Sequence, residues 1–320
     1  MNEVQLIDKF LKRLTKKQNS SQGLNDDIFF DKSKKLAVSV DTYVEKVHFP
    51  NFKEPDLVIK KILRSSLSDL ICKGVKPKYY FISASGNSKS FSNKNLKKIS
   101  NSLSLEQKRF DIELSGGDTV YSNTNSFTCC VIGFSNKIIK RHDSMVGDDI
   151  YITGHLGDSF MGLQILKKKI SIPKRLKKYF ISKFYMPSIN LKMVNFLQKF
   201  ANTSIDISDG LLIDLKKMTR QQKYGFSIIL DDIKLSDQLK KVLIRNKKLK
   251  IENTIFNGDD YEIIFTSHKK NRSLINKYAK NKKLKIQRIG EILKKYQDSC
   301  ILKGNKKFRI NKNLGYTHQF

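Results

Sequence analysis

Short apolar runs alternate with helix-spaced apolar residues along the whole chain. Apolar residues at helical spacing predict an amphipathic N-terminal helix, a helix from Asp209 and helices at 56–74, 93–108 and about 158–168. Runs rich in β-branched and aromatic residues predict strands at 36–40, 79–86, 111–117, 126–134, 149–154, 227–230, 260–267 and 284–293. Because both element types occur in both halves, we expect an α/β (α+β) protein.

The pattern is interrupted between residues 135 and 150, where NKIIKRHDSMVGDD fits neither periodicity. A chain of 320 residues and 37.0 kDa is long enough for two domains. The sequence therefore predicts an N-terminal mixed-sheet domain at 1–140 and a C-terminal α/β domain at 141–320.

The predicted helix at 56–74 carries an acid where a core residue is expected. A step of about 100° per residue places Asp69 at the edge of the apolar arc, beside Val58 and Ile62. The same step gathers the polar side chains on one side: Lys60, Lys61, Arg64 and Ser68. An acid that faces inward is a candidate functional group, since Asp is rarely buried without a partner.

Asp69 belongs to a set of aspartates in short motifs that contain no basic residue, most of which follow an apolar strand-like run. The motifs are GLNDD (Gly23–Asp27), SVD (Ser39–Asp41), SLSD (Ser66–Asp69), SGGD (Ser115–Asp118), DISDG (Asp206–Gly210) and NGDDYE (Asn257–Glu262). Each motif alone resembles an ordinary turn. Together they predict a site in which acids from distant segments converge.

Converging carboxylates require a cation, because two of them about 4 Å apart repel by roughly 4 kcal/mol at an effective dielectric of about 20. Oxygen ligands without a His or Cys cluster favour Mg²⁺, Mn²⁺ or Ca²⁺. Mg²⁺ shares its remaining positions with water and substrate phosphates. The first hypothesis is therefore a site for metal and nucleotide.

Two motifs offer backbone groups for such a nucleotide. Gly116 and Gly117 allow close approach of a phosphate to the backbone, in what resembles a loop after a strand. Ser208 or Asp209 could cap the helix that follows DISDG, and the N-terminus of that helix also favours phosphate. A cap does not account for Asp206.

The net charge of +32 invites a nucleic-acid interpretation, but the lysines are spread over the whole chain and no recognition motif is present. Compositional bias accounts for them, and we expect no specific nucleic-acid partner. There is no GxGxxG or Walker A motif and no apolar run of membrane-spanning length. Four cysteines without CxxC spacing fit a cytoplasmic protein.

The order of the motifs resembles the thiamine-monophosphate kinase family, within the superfamily of aminoimidazole ribonucleotide synthetase and selenophosphate synthetase. The likeness runs from about residue 20 to the terminal GYTHQF and includes SVDT…HF, LSDL…GVKP, SGGDT, R-x5-GD, YITGHLGDS, IDISDGL and GDDYE. The resemblance implies ATP-dependent, in-line phosphorylation of thiamine monophosphate with Mg²⁺. It also implies a homodimer formed through the N-terminal domains.

The resemblance assigns roles motif by motif. Metal ligands would be Asp27, Ser39, Val40, Asp41, Asp69, Asp118, Asp206 and Asp209, of which Asp41, Asp69 and Asp118 are expected to matter most for catalysis. ATP would be contacted by Gly117, Asp118, Arg141 and Ser208, with Arg141 as a charge clamp on the phosphates. Thiamine monophosphate would be contacted by His48, Asp259 and Tyr316.

The chain departs from the family pattern at two of these positions. Val40 stands where Thr is frequent, so a metal contact there would use its backbone carbonyl. Asp259 stands where Glu is usual and is one methylene shorter. The alternatives are another ATP-dependent enzyme of the superfamily, such as the purine-pathway cyclo-ligase, and a basic nucleic-acid-binding protein whose affinity falls steeply with salt.

Overall fold

The computed structural model describes residues 1–15, 19–304, 306–310 and 315–318, so Gln319 and Phe320 of the predicted terminal motif lie outside the described residues. The first half contains α1 (Glu3–Leu6), β1 (Phe29–Asp31), β2 (Leu36–Val44), α2 (Pro55–Cys72), β3 (Lys76–Gly86), α3 (Asn93–Phe110), β4 (Glu113–Tyr121) and β5 (Ser126–Phe134). The predicted N-terminal helix is present as α1 followed by a π-turn and a 3₁₀ turn that end at Thr15.

The second half contains β6 (Asp149–Thr153), α4 (Asp158–Leu166), α5 (Lys174–Tyr185), α6 (Lys192–Phe200), β7 (Thr203–Asp206), α7 (Leu211–Arg220), β8 (Tyr224–Ile229), α8 (Asp237–Arg245), α9 (Glu252–Ile255), β9 (Ile263–Ser267), α10 (Arg272–Lys282), β10 (Ile286–Lys295), β11 (Cys300–Lys303) and β12 (Lys306–Arg309). The α/β class is confirmed. Among the described residues, no helix is both long and apolar enough to span a membrane.

The first sheet has the order β1-β2-β5-β3-β4, with β3 and β4 parallel and the other pairs antiparallel. Helix α2 packs on one face of this sheet through residues such as Leu63, Leu67 and Leu70. On the opposite face, which we call the open face, the in-register neighbours include Val40 and Phe81. Their side chains are exposed, although both are large and apolar.

The second sheet has the order β12-β11-β8-β10-β6-β9-β7 and is antiparallel except for the β8–β11 pair. The first sheet ends at Phe134 and the second begins at Asp149, which matches the interruption in the sequence pattern. One hydrophobic cluster nevertheless joins α2 to Tyr151 and Phe265 of the second sheet. The division into two domains therefore stays a prediction.

Helix α2 is buried on both sides, including the side that carries the polar residues. Lys61, Arg64 and Ser68 are all buried. The helix lies between the first sheet and elements of both halves, namely α3, α5, α6 and β7. An amphipathic projection assumes one solvent-facing side, and α2 has none along most of its length.

The predicted strand at 111–117 is present as β4, but this strand continues through the SGGD motif to Tyr121, so the expected loop at the glycines is absent. Strand β4 pairs with β3, and the backbones come so close that a Cβ at Gly117 would clash with the carbonyl oxygen of Ile82. The glycines therefore permit tight strand pairing at the edge of the sheet.

A buried ion pair joins α2 to α3. Arg64 donates from Nε to Glu106 at 2.6 Å and from Nη2 at 2.9 Å, and from Nη1 to the carbonyl of Pro187 at 3.1 Å. We expect Glu106→Gln to lower the free energy of unfolding by about 3–5 kcal/mol, since it leaves a buried guanidinium without its counter-charge. Urea unfolding would measure this. The double variant Arg64→Met/Glu106→Leu should be more stable than Arg64→Met or Glu106→Leu alone. If the two single losses of stability simply add in the double variant, the two side chains do not act as a buried ion pair.

A half-buried acid makes stability depend on pH. Burial raises the pKa of Glu262 to about 7, although the Thr153 hydroxyl, which donates to it at 2.5 Å, acts in the opposite direction. Because the pKa is higher in the folded state, the contribution of Glu262 to stability is complete below its unfolded pKa and is lost as the pH rises towards 7. We expect Glu262→Gln to raise Tm at pH 8 and not at pH 4. Glu113→Gln, on an exposed side chain, is the control; an equal gain at both pH values would contradict the prediction.

Candidate active site

A cavity of about 1350 Å³ is lined by residues of both halves of the chain. Most predicted site residues line it: Asp27, Val40, Asp41, His48, Asp69, Arg141, Asp206, Ser208, Asp209, Asp259 and Tyr316. Ser39 lies just behind the wall, and its hydroxyl donates to Asp69 at 2.5 Å. Gly117 and Asp118 lie elsewhere.

Three carboxylates from different elements form the acidic wall of the cavity. Asp41 comes from β2, Asp69 from α2 and Asp206 from the end of β7. Burial, with repulsion by neighbouring acids, raises the pKa of Asp41 to about 6 and that of Asp206 to about 8. The pKa of Asp69 is raised well above its ordinary value by burial and then by Asp41 and Asp206. The three groups therefore share one electrostatic environment.

The acidic wall suits a hard divalent cation. Among the described residues, none of these three carboxylates is paired with a lysine or arginine. The described residues contain no ready group of three His, Cys, Asp or Glu close enough to hold a metal unaided. Mg²⁺ does not need one, because it retains waters and takes phosphate oxygens as ligands. The chemistry of the oxygen donors fits Mg²⁺.

Asp27 is neutralised by the protein itself. Buried Lys73 lies 2.8 Å from Asp26 and 2.7 Å from Asp27, and the Arg141 guanidinium also contacts Asp27. Although burial acts to raise it, the pKa of Asp27 is lowered by Arg141 and Lys73. Part of the crowded negative charge is therefore balanced by cations from remote segments, which the acidic motifs did not reveal.

Arg141 is held in place from two sides. Besides its contact with Asp27, its backbone N–H donates to Asp26 at 2.9 Å. Its Nε atom is buried and has no hydrogen-bond partner among the described residues. A buried donor without a partner is costly, so this atom is suited to an anionic ligand in the cavity.

At the start of α7, neither Ser208 nor Asp209 caps the helix. The Asp214 carboxylate instead accepts from the backbone N–H groups of Asp209 at 3.1 Å and Gly210 at 3.0 Å. Lys217 in turn lies 2.6 Å from Asp209 and 3.0 Å from Asp214. An acid from inside the helix therefore takes the role of the cap, and Ser208 lines the cavity.

The predicted substrate contacts lie together in a part of the cavity wall rich in rings. The ring centroids of His48 and His318 are 5.5 Å apart, and those of Tyr316 and His318 are 4.9 Å apart. Burial, followed by His318, lowers the pKa of His48. Asp259 lies 2.6 Å from the Nζ atom of Lys61, a partner that the sequence did not predict. This part of the wall suits a ring-containing ligand.

Gly117 and Asp118 are not brought to the cavity within one chain. Strand β4 is separated from β2 by β3 and β5, a distance of about 14 Å at the usual strand spacing. The pairing places Asp118 beside Ser83 on the open face, and its carboxylate accepts from the Thr119 N–H at 2.8 Å. The SGGD motif alone did not indicate on which face of the sheet Asp118 would lie.

The chain is similar to known proteins in sequence and in fold. The family model of the AIR synthase related protein, N-terminal domain, matches residues 25–135. The chain is 35% identical to the thiamine-monophosphate kinase of Buchnera aphidicola subsp. Schizaphis graminum, over 99% of this chain and 98% of that protein. The solved thiamine monophosphate kinase of Aquifex aeolicus is 26% identical, with a TM-score of 0.80 over 95% of this chain and 97% of that one.

A second solved structure, AaThiL complexed with AMPPCP and TMP, has a TM-score of 0.86 and 24% identity over 99% of this chain and 97% of that chain, and it shows the same fold. The full-length match to the Buchnera protein carries the assignment beyond the fold. On these grounds the chain belongs to the thiamine-monophosphate kinase family.

Proposed function

We propose that this protein transfers the γ-phosphoryl group of ATP to the phosphate of thiamine monophosphate, giving thiamine diphosphate. The observation that carries the proposal is one cavity lined both by Asp41, Asp69 and Asp206, which form no ion pair with the described residues, and by the rings of His48 and Tyr316. A relative of the same fold was solved with AMPPCP and TMP, which supports this pair of substrates. The four free cysteines fit a reducing, cytoplasmic setting.

The acceptor oxygen belongs to a phosphate that is already ionised at neutral pH, so the site needs no strong general base. Bound Mg²⁺ would supply neutralisation of the crowded phosphates. Asp41, Asp69 and Asp206 would hold it, with the Val40 carbonyl as a further ligand, and Ser39 fixes the orientation of Asp69. Asp27 and Asp209 would join them only by exchanging their ion pairs with Lys73, Arg141 and Lys217 for the metal ion. Arg141 and Ser208 donate to the nucleotide phosphates, which places the donor for in-line attack.

We further propose that a homodimer completes the site through the open face. This face exposes Val40 by 61%, Val120 by 57% and Phe134 by 51%, which is unusual for large apolar side chains of a single sheet. Asp118 lies on the same face, in the row of neighbours that contains Thr42. A second copy packed on the open face would bring its Asp118 and Gly117 towards the Val40 edge of the first copy's cavity.

The metal assignment predicts graded effects along one hydrogen bond. Asp69→Asn should lower the rate of thiamine diphosphate formation by more than roughly 100-fold, because it removes a charged ligand. Ser39→Ala should raise the Mg²⁺ concentration needed for half-maximal rate by roughly 10-fold, since it only frees the orientation of Asp69. A coupled assay across a Mg²⁺ titration measures both.

In the same assay Asp237→Asn, on an exposed side chain, serves as the control and should behave as the wild type. Circular dichroism would establish that each variant is folded. A folded Asp69→Asn protein with near-normal turnover would reject the assignment of the acidic wall as the metal site.

The dimer proposal predicts complementation between two inactive proteins. If Asp118 acts across the interface, a mixed dimer of Asp118→Asn and Asp69→Asn chains contains one intact site. Denaturing and refolding an equal mixture should then restore about a quarter of the wild-type activity, because half of the dimers are mixed and half of their sites are intact. If Asp118 acts within its own chain, the mixture stays inactive, and this result would overturn the proposal.

A further inference from the structure

Lys61 is a buried cation that lies behind the wall of the active site, next to Asp259. It has no part in the phosphoryl transfer proposed above. Its side chain is 1% exposed. The Nζ atom donates to Asp259 Oδ1 at 2.6 Å and to the carbonyl of Phe184 at 3.5 Å. The same atom lies 4.0 Å from the centre of the Phe184 ring and 5.3 Å from that of Tyr261. The lysine is therefore enclosed, and its charge is directed at a single carboxylate.

The backbone of that carboxylate is fixed independently of Lys61. Asp259 adopts the left-handed conformation with φ at +71°, and its N–H donates to the carbonyl of Ser208 at 2.8 Å. A Cβ at the preceding Gly258 would clash with the same carbonyl, so the two backbones are in close contact. The backbone does not fix the side-chain torsion angles of Asp259, so the orientation of its carboxylate depends on other contacts.

Lys61 determines that rotation by occupying one oxygen. Oδ1 accepts from Lys61 at 2.6 Å, with the Tyr261 hydroxyl at 3.5 Å. No hydrogen bond or ion pair from the described residues reaches Oδ2, and the Asp259 side chain is 26% exposed towards the cavity. Oδ1 is thus anchored by Lys61, and Oδ2 is available to accept a hydrogen bond from a ligand in the cavity.

Helix α2 links this anchor to the metal site. Lys61, Ser65 and Asp69 lie four residues apart on one side of the helix, and the Ser65 hydroxyl donates to the Lys61 carbonyl at 2.5 Å. Eight residues at the usual rise separate Lys61 from Asp69 by about 12 Å. Helix α2 therefore carries both Asp69 of the acidic wall and the lysine that anchors the Asp259 carboxylate.

Resting on the proposed function, we infer that Lys61 is a positioning residue for the acceptor substrate. It holds the Asp259 carboxylate so that Oδ2 accepts a hydrogen bond from an N–H donor on the ring system of thiamine monophosphate. Lys61 itself does not touch the substrate or ATP. Its effect is on recognition of the acceptor, at a distance from phosphoryl transfer.

The test separates the two substrates in steady-state kinetics. Lys61→Met should raise the KM for thiamine monophosphate by roughly 10-fold or more, because it releases a charge-assisted hydrogen bond that orients the contact. The KM for ATP should change by less than about twofold. Lys61→Gln should be intermediate, since its amide still donates to Asp259. Lys60→Met, at the neighbouring position of the same helix, is the matched control and should match the wild type.

A double-variant cycle shows whether Lys61 acts through Asp259. In Asp259→Asn/Lys61→Met the KM for thiamine monophosphate should be no higher than in Asp259→Asn alone, because the anchored group is already altered. Independent, additive effects would overturn the inference, and so would an equal rise in the KM for ATP. If Lys61→Met does not fold, Lys61→Gln decides by the same ratio of KM values.

The inference and the proposed function fail differently. A wild-type protein that forms no thiamine diphosphate from ATP and thiamine monophosphate would refute the proposed function. A wild-type protein that forms it, with unchanged kinetics in folded Lys61→Met and Lys61→Gln, would refute only the role of Lys61.

Discussion

Buried negative charge is the constraint on which the rest of this structure depends. The converging acids fall into two groups, one paired with lysine or arginine side chains and one without such partners among the described residues. Lys73 and Arg141 neutralise Asp27 on one side of the cavity, and Lys217 pairs with Asp209 near the start of α7. The acidic wall receives no such partner among the described residues, and its carboxylates carry raised pKa values. Without a cation the raised pKa values keep these acids partly protonated at neutral pH, and the metal of the proposed function would let them ionise.

The sequence was sufficient for those features that depend on local pattern. Strand β5 spans Ser126–Phe134, as predicted, because its apolar run is bounded by polar residues on both sides. Helix α2 spans Pro55–Cys72, within two residues of the prediction. The structure also brings most of the acidic motifs to one cavity. Asp206 ends β7 there, as the sequence suggested, whereas Asp41 lies within β2 and Asp69 within α2. Their roles there remain proposals.

Features that depend on long-range contacts were beyond the sequence. Lys73 follows α2 in a chain rich in lysine, so nothing distinguishes it until the fold places it against Asp26 and Asp27. Helical periodicity placed Lys61 and Arg64 only on the polar side of the predicted helix. Both are buried, because α2 is enclosed by both sheets and by neighbouring helices. The carboxylate partners of these two cations come from distant positions in the chain, which no local window contains.

Under the proposed function, the division of charge would let a chain of net charge +32 discriminate among phosphates. The dispersed lysines create a positive field that attracts any phosphorylated molecule to the surface. Inside the cavity, ionised carboxylates of the acidic wall would repel a bare phosphate at close range, where the effective dielectric is lower than in water. Under the proposed function, a nucleotide whose charge is offset by a divalent cation would satisfy both regions. The long-range field would therefore concentrate phosphates in general, and the acidic wall would select the metal-bound form.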